Sequence, residues 1–151
     1  MPIWNRILAT VDEHDISLEA VRYLAGVLGG SDACRVRIMS VYQAPEADAH
    51  PKQEERAAAA AQRKEVLLDR LEEARQILVG ARIAAYNVST RLEEAGGRTI
   101  AETIMAAQLQ GGFGTIVVGR RGVSKAEEFL FGSVSSSIVH QATDCAVWVI
   151  N

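Results

Sequence analysis

Cysteine is scarce in this chain: Cys34 and Cys145 are the two among 151 residues. They are too few and too far apart to build a disulfide framework or a zinc site, and both read as buried thiols serving as small apolar side chains. The three histidines, His14, His50 and His140, have no metal-ligand spacing. No apolar stretch approaches the ~20 residues that span a bilayer. The first fifteen residues carry one basic side chain, Arg6, and an apolar run at 7–11 that is too short for a signal-peptide core. A cytoplasmic chain with no membrane partner is therefore expected. Positive charge is also not in excess: sixteen Lys and Arg against nineteen Asp and Glu leave a net charge of −3, which excludes nucleic acid as the expected partner.

What the chain does contain is an ordinary globular balance, 48% hydrophobic and 23% charged. At this length roughly 70% of the unfolded surface can be buried, enough for a core that needs neither metal nor disulfide. One domain over residues 1–151 is expected. Short β-rich runs at 6–11, 35–42, 82–88, 115–119 and 146–150 alternate with helical patterns at 17–28, 53–79, 99–109 and 133–142. The first helix places Leu18, Val21, Leu24, Ala25 and Leu28 on one face, with Asp15 or Ser17 as cap. The second has a seam of Leu67, Leu71, Ala74 and Leu78; the fourth turns Val134, Ile138 and Val139 inward. The segment 43–52, with Pro45 and Pro51, is the expected mobile connection. Alternating β and α elements with Val- and Ile-rich strands require a parallel sheet covered on both faces. The fold class expected is α/β, an open, doubly wound, five-stranded parallel sheet, whose ligands bind at the carboxyl edge where the strand order reverses.

The sequence after the fourth strand has the pattern G-x2-G-x9-G-S, formed by Gly119, Gly122, Gly132 and Ser133. Glycines let backbone N–H groups come close to phosphate oxygens, and Gly132-Ser133 adds N–H donors and a hydroxyl at the positive end of the fourth helix. Arg121 adds a guanidinium able to clamp phosphate, with Arg120 as the weaker candidate. Other nucleotide motifs are excluded. Gly114 and Gly119 imitate a Walker loop, but Arg120-Arg121 stand where Lys and Ser or Thr belong. Val117 occupies the third glycine position of a dinucleotide fingerprint. At the end of the first strand, Thr10-Val11-Asp12 puts a carboxylate at the same edge, suited to a ribose hydroxyl or a phosphate-bound cation. No G-x-S-x-G elbow or assignable base is present.

Together, Val11-Asp12, the strand at 115–119, the G-x2-G-x9-G-S run and the strand Ala146–Ile150 resemble the ATP-binding branch of the universal stress protein family. The resemblance implies strand order 3-2-1-4-5, a homodimer paired through strand five, an unidentified protein partner, and ATP at the carboxyl edge with Mg2+ on its phosphates. Carried over, adenine and ribose contacts fall on Thr10, Asp12, Val41 and Val118. Phosphate contacts fall on Gly119, Gly122, Gly132, Ser133, Val134 and Ser135. Thr10, Glu13-His14, Thr115 and Ala146 depart from the family pattern. Glu13 matters most, because a second carboxylate beside Asp12 repels a triphosphate unless magnesium lies between them. The function this implies is a nucleotide-dependent stress-response module, without catalytic residues; the alternatives are a slow Mg-dependent ATPase and a dimer binding AMP or cyclic AMP. With order 3-2-1-4-5, Cys34 and Cys145 start strands three spacings apart, roughly 14 Å, which is beyond disulfide reach. Gly122→Val, which adds a side chain where backbone is to meet phosphate, is expected to weaken ATP binding without unfolding the protein; an unchanged affinity in a binding titration removes Gly122 from the site.

Overall fold

A computed structural model describes residues 3–44, 52–120 and 133–151. The five strands are β1 (Ile3–Thr10), β2 (Arg35–Tyr42), β3 (Val88–Glu94), β4 (Phe113–Gly119) and β5 (Ala146–Ile150). All pair in parallel, in the order β3-β2-β1-β4-β5. The helices are α1 (Ser17–Leu28), α2 (Gln53–Gly80), α3 (Ile100–Gly111) and α4 (Ser133–Gln141). Because strand side chains alternate between faces, each strand feeds two cores. Ile7, Ala9, Ile38 and Val117 pack with α1 and α2, while Leu8, Met39, Ile116 and Val118 pack with α3 and α4. No helix among the described residues is long and apolar enough to cross a membrane.

The apolar periods place the helices well. Leu67, Leu71, Ala74 and Leu78 are the buried residues of α2, and Leu18, Val21, Leu24, Ala25 and Leu28 are all buried on α1. The rest of α2 is polar, and ion pairs lace its outer surface. Arg75 sits 2.6 Å from Glu72 and holds that carboxyl down at about 2. α3 begins with a reciprocal cap in which Thr99 accepts from the Glu102 amide and Glu102 accepts from the Thr99 amide. It ends at Gly112, whose φ of 62° is a left-handed conformation that glycine adopts without penalty.

Three sequence expectations are corrected. The third strand is not residues 82–88: Arg82 turns with φ 68°, Ala85–Asn87 form a 3-10 turn, and the strand starts at Val88. Ile83, buried to 1%, anchors that turn and gave the segment its strand-like character. Ile16, not Asp15 or Ser17, is the cap residue of α1. Val139 is 51% exposed, so the inward face of α4 is set by Ile138 and the buried Ser135. Of the connection at 43–52, residues 45–51 lie outside the described residues. Both thiols are free, Cys34 buried and Cys145 half-buried. Desolvation, then the adjacent Asp144 carboxylate, push the Cys145 thiol pKa up.

At the amino ends of β1 and β4 the register shifts between Ile3↔Phe113 and Ile7↔Thr115. A Cβ on Gly114 would lie 2.5 Å from the Ile3 carbonyl carbon and oxygen. Thr115 Oγ1 donates to the Trp4 carbonyl at 2.8 Å and ties the same bulge. Gly114→Ala is expected to cost about 1–3 kcal/mol through this overpacking, read as a lower urea midpoint with unchanged slope; an unchanged midpoint shows that the strands part without cost.

Candidate functional site

The sheet order reverses between β1 and β4. From there β1 leads into α1 on one face and β4 leads towards α4 on the other, which opens a crevice at the carboxyl edge. The chain after β1 is held at this point by backbone and hydroxyl contacts. The Val11 amide donates to the Met39 carbonyl at 3.0 Å, and the buried Ser40 hydroxyl donates to the Val11 carbonyl at 2.8 Å. The Asp12 amide then donates to Ser17 Oγ at 3.2 Å, and that hydroxyl donates to the His14 carbonyl at 2.8 Å. Asp12 Oδ1 accepts from the His14 amide at 2.8 Å, a local turn that aspartate favours.

Nine of the expected site residues line one cleft: Thr10, Val11, Asp12, Val41, Val118, Gly119, Ser133, Val134 and Ser135. Arg121, Gly122 and Gly132 lie outside the described residues. The cleft holds about 840 Å³ counting space open to solvent. Its floor is apolar: Met39, Ile104 and Val118 are buried, and Val41 and Ile100 pack beside them. Its rim is polar, with Thr10 and Asp12 on one side and the first turn of α4 on the other. Gly119 is not crowded by the protein itself. A Cβ there would make ordinary contacts with Ser17 Cα at 3.7 Å and Ala20 Cβ at 3.8 Å, so its glycine character is not required by a close approach within the protein.

Sequence reasoning missed Ser17, Gln43 and Arg63, which also line the cleft. Arg63 comes from α2, and its guanidinium lies 3.5 Å from Glu13 Oε1. Nothing local in the sequence links residues so far apart. Arg70, one helical face further along α2, donates to the Glu13 carbonyl at 3.1 Å and pairs with Asp15 at 2.7 Å. The second carboxylate that stood out in the sequence is thus balanced from across the fold. Arg120 also lines the cleft, and its amide donates to the Ile150 carbonyl at 2.8 Å. Asp12, Glu13 and His14 each present one ligand atom, all within 4.8 Å of one another. The two carboxylates suit a hard cation such as magnesium, and the imidazole suits transition metals. His14 Nε2 lies 3.9 Å from Glu13 Oε1, beside the cleft and not among the described residues that line it.

Comparison with curated proteins finds no match, whereas solved structures match along nearly the whole chain. The hypothetical protein MJ0577, whose biochemical function was assigned from its structure, is 17% identical over 97% of this chain and 95% of its own, with a TM-score of 0.78. The universal stress protein UspA from Lactobacillus plantarum is 19% identical over 98% of both chains, at 0.77. A universal stress protein in complex with cAMP is 17% identical over 97% of this chain and 96% of its own, at 0.69. At these identities the likeness is one of fold. The sequence itself carries the closer assignment: the model of the universal stress protein family matches residues 4–151, a span that takes in every strand but the first residue of β1, and the chain belongs to that family.

Proposed function

We propose that this chain is a cytoplasmic, ATP-binding universal stress protein that works as a nucleotide-dependent signalling module. The observation that carries this reading is the convergence of Thr10, Asp12, Val41 and Val118 with the first turn of α4 around one cleft. An adenine would lie on the apolar floor near Val41, and Asp12 would accept from ribose hydroxyls. Phosphates would meet Ser133, Val134 and Ser135 at the positive end of α4. The glycines of the sequence motif, Gly119, Gly122 and Gly132, would supply further backbone N–H donors, the last two from outside the described residues. Bound Mg2+ would neutralise phosphate charge, and Asp12 and Glu13 are the oxygen donors at hand. Arg63 lowers the repulsion that Glu13 would otherwise exert on a triphosphate.

The reading is of binding, with turnover as the alternative, since Asp12 and Glu13 in the cleft could also serve a slow magnesium-dependent hydrolysis. Nucleotide occupancy would alter the surface at 120–131 that a protein partner meets. Among the described residues β5 is an edge strand with β4 as its neighbour in the sheet, which supports a homodimer joined through that strand, since an edge strand is a ready template for pairing. A second reading, cyclic AMP or AMP as the bound nucleotide, is favoured by the related structure that holds cAMP.

Denaturing the freshly purified protein is expected to release ATP near one per chain, identified by chromatography and mass spectrometry, and the emptied protein is expected to rebind it at micromolar concentration with magnesium. Failure of ATP, AMP and cyclic AMP all to bind overturns the reading. Tighter binding of cyclic AMP than ATP selects the second one, and Mg-dependent phosphate release lost in Asp12→Ala at saturating ATP would assign a slow ATPase instead. Glu13→Gln is expected to raise ATP affinity several-fold in the absence of magnesium and to shrink the gain magnesium brings, since a charge facing the phosphates is removed. Calorimetry with and without magnesium checks this, and equal affinities for the two proteins would place Glu13 away from the phosphates.

A further inference from the structure

At the amino edge of the sheet, on the rim opposite the nucleotide cleft, three arginines come together. Arg6 is the fourth residue of β1, and Arg35 and Arg37 are the first and third of β2. Arg6 alternates with Leu8, and Arg35 and Arg37 with Met39, so all three leave the sheet on the face that carries Leu8 and Met39. Arg6 and Arg35 are register partners across the two strands. Like charges placed directly opposite in a sheet destabilise it.

Two of these guanidiniums are held in place by one ring. The Cζ of Arg37 lies 5.2 Å from the Phe113 centroid and that of Arg6 lies 5.7 Å from it, within cation–π range. Phe113 is 4% exposed, so the platform is rigid. Among the described residues none of the three arginines has an ion-pair partner. Arg22, Arg63, Arg70, Arg75 and Arg91, by contrast, each sit within 4.0 Å of a carboxylate.

The arginines line two adjoining hollows of about 510 and 780 Å³, counting space open to solvent, which share Arg6, Arg35, Tyr86 and Asn87. The larger hollow has a wall fixed by two amide side chains. Asn5 Nδ2 donates to the Ala33 carbonyl at 2.7 Å, and Asn87 Nδ2 donates to the Asp32 carbonyl at 3.3 Å. Tyr86 is 86% exposed and offers an open ring at the margin. Asp32 supplies the one carboxylate among the lining residues. Three guanidiniums against one carboxylate leave the groove with a surplus of two positive charges.

We propose that this groove is a second ligand site, for a small phosphorylated anion. Guanidinium forks match phosphate oxygens in pairs, and stacking on Phe113 orders two of them before a ligand arrives. The exposed Tyr86 ring would cover a planar or apolar part of such a molecule. A nucleic acid strand is disfavoured, because it needs an extended run of phosphate contacts and the chain is net negative.

The test is an amide chemical-shift titration of the full chain with sodium pyrophosphate at low salt and without magnesium. Saturable shifts are expected at Arg35, Arg37, Asn87 and Ser89. Arg37→Gln is expected to weaken binding about tenfold, the scale of a charge-assisted hydrogen bond. Arg35→Gln, which alters an exposed side chain off the Phe113 platform, is expected to do the same while leaving the remaining spectrum unchanged. Shifts confined to Asp12, Gly119 and Ser133, or no saturation at millimolar pyrophosphate, overturn the proposal. A single-stranded oligonucleotide that moves the same amides at lower concentration than pyrophosphate overturns it in favour of nucleic acid.

Discussion

Everything at the carboxyl edge depends on how the end of β1 is held. That strand is central, with β2 on one side and β4 on the other, and its side chains at 7–9 are buried in both cores. Past Thr10 the chain keeps two further tethers to β2, through the Val11 amide and carbonyl. Those tethers sit in a buried setting, where an unmade hydrogen bond costs the full desolvation of its donor or acceptor. The turn that follows therefore starts from a fixed point. Ser17, itself 6% exposed, closes it by accepting from Asp12 and donating to His14. Asp12 is presented to the cleft by a rigid strand end, not by a loose loop.

The same turn brings Glu13 and Asp15 close to Asp12, a concentration of negative charge that the fold answers from α2. Arg63 and Arg70 lie seven residues apart on that helix, two turns along one face, and reach Glu13 and Asp15 respectively. Arg70 is 14% exposed and also bonds the Glu13 carbonyl, so it is a structural brace. Arg63 is 45% exposed and lines the cleft, which leaves its charge close to any anion that enters. The cleft therefore contains both signs of charge, with Arg63 paired to Glu13 at 3.5 Å.

Much of this was legible in the chain. α1, β2 and β5 were placed within their observed bounds, because each combines a clear period with clear stops. The strand end that carries Asp12 followed from the polarity of a parallel sheet, which gathers all carboxyl ends on one rim, whereas Val41 and Val118 were carried over from the family resemblance. β3 was misplaced for a physical reason: as an edge strand it exposes Ser89, Thr90 and Arg91, so its sequence lacks the apolar pattern that a central strand must have. Ile83, a buried anchor in a turn, supplied the misleading signal. Arg63 could not be found at all. Its partner lies far away in sequence, and an exposed arginine on a long polar helix has no local mark of function.

The polarity of the sheet also decides which kind of anion site each rim can support. With every strand parallel, helices on both faces present their N-termini to the carboxyl rim and their C-termini to the amino rim, and their dipoles give the two rims opposite fields. At the carboxyl rim backbone N–H groups and hydroxyls suffice for phosphate, and the acids Glu13 and Asp15 next to the start of α1 are stabilised there. At the amino rim the last turns of α1, α2 and α3 hold no basic residue of their own, and their carbonyl ends repel anions. Arg6, Arg35 and Arg37 offset that field, which lets three like charges share one face without carboxylate partners. An anion entering there must overcome the helix ends, and neutral donors cannot achieve this. Guanidinium groups stacked on a buried ring supply positive charge there at a small ordering cost, so the two rims are suited to anions by different chemistry for the same geometric reason.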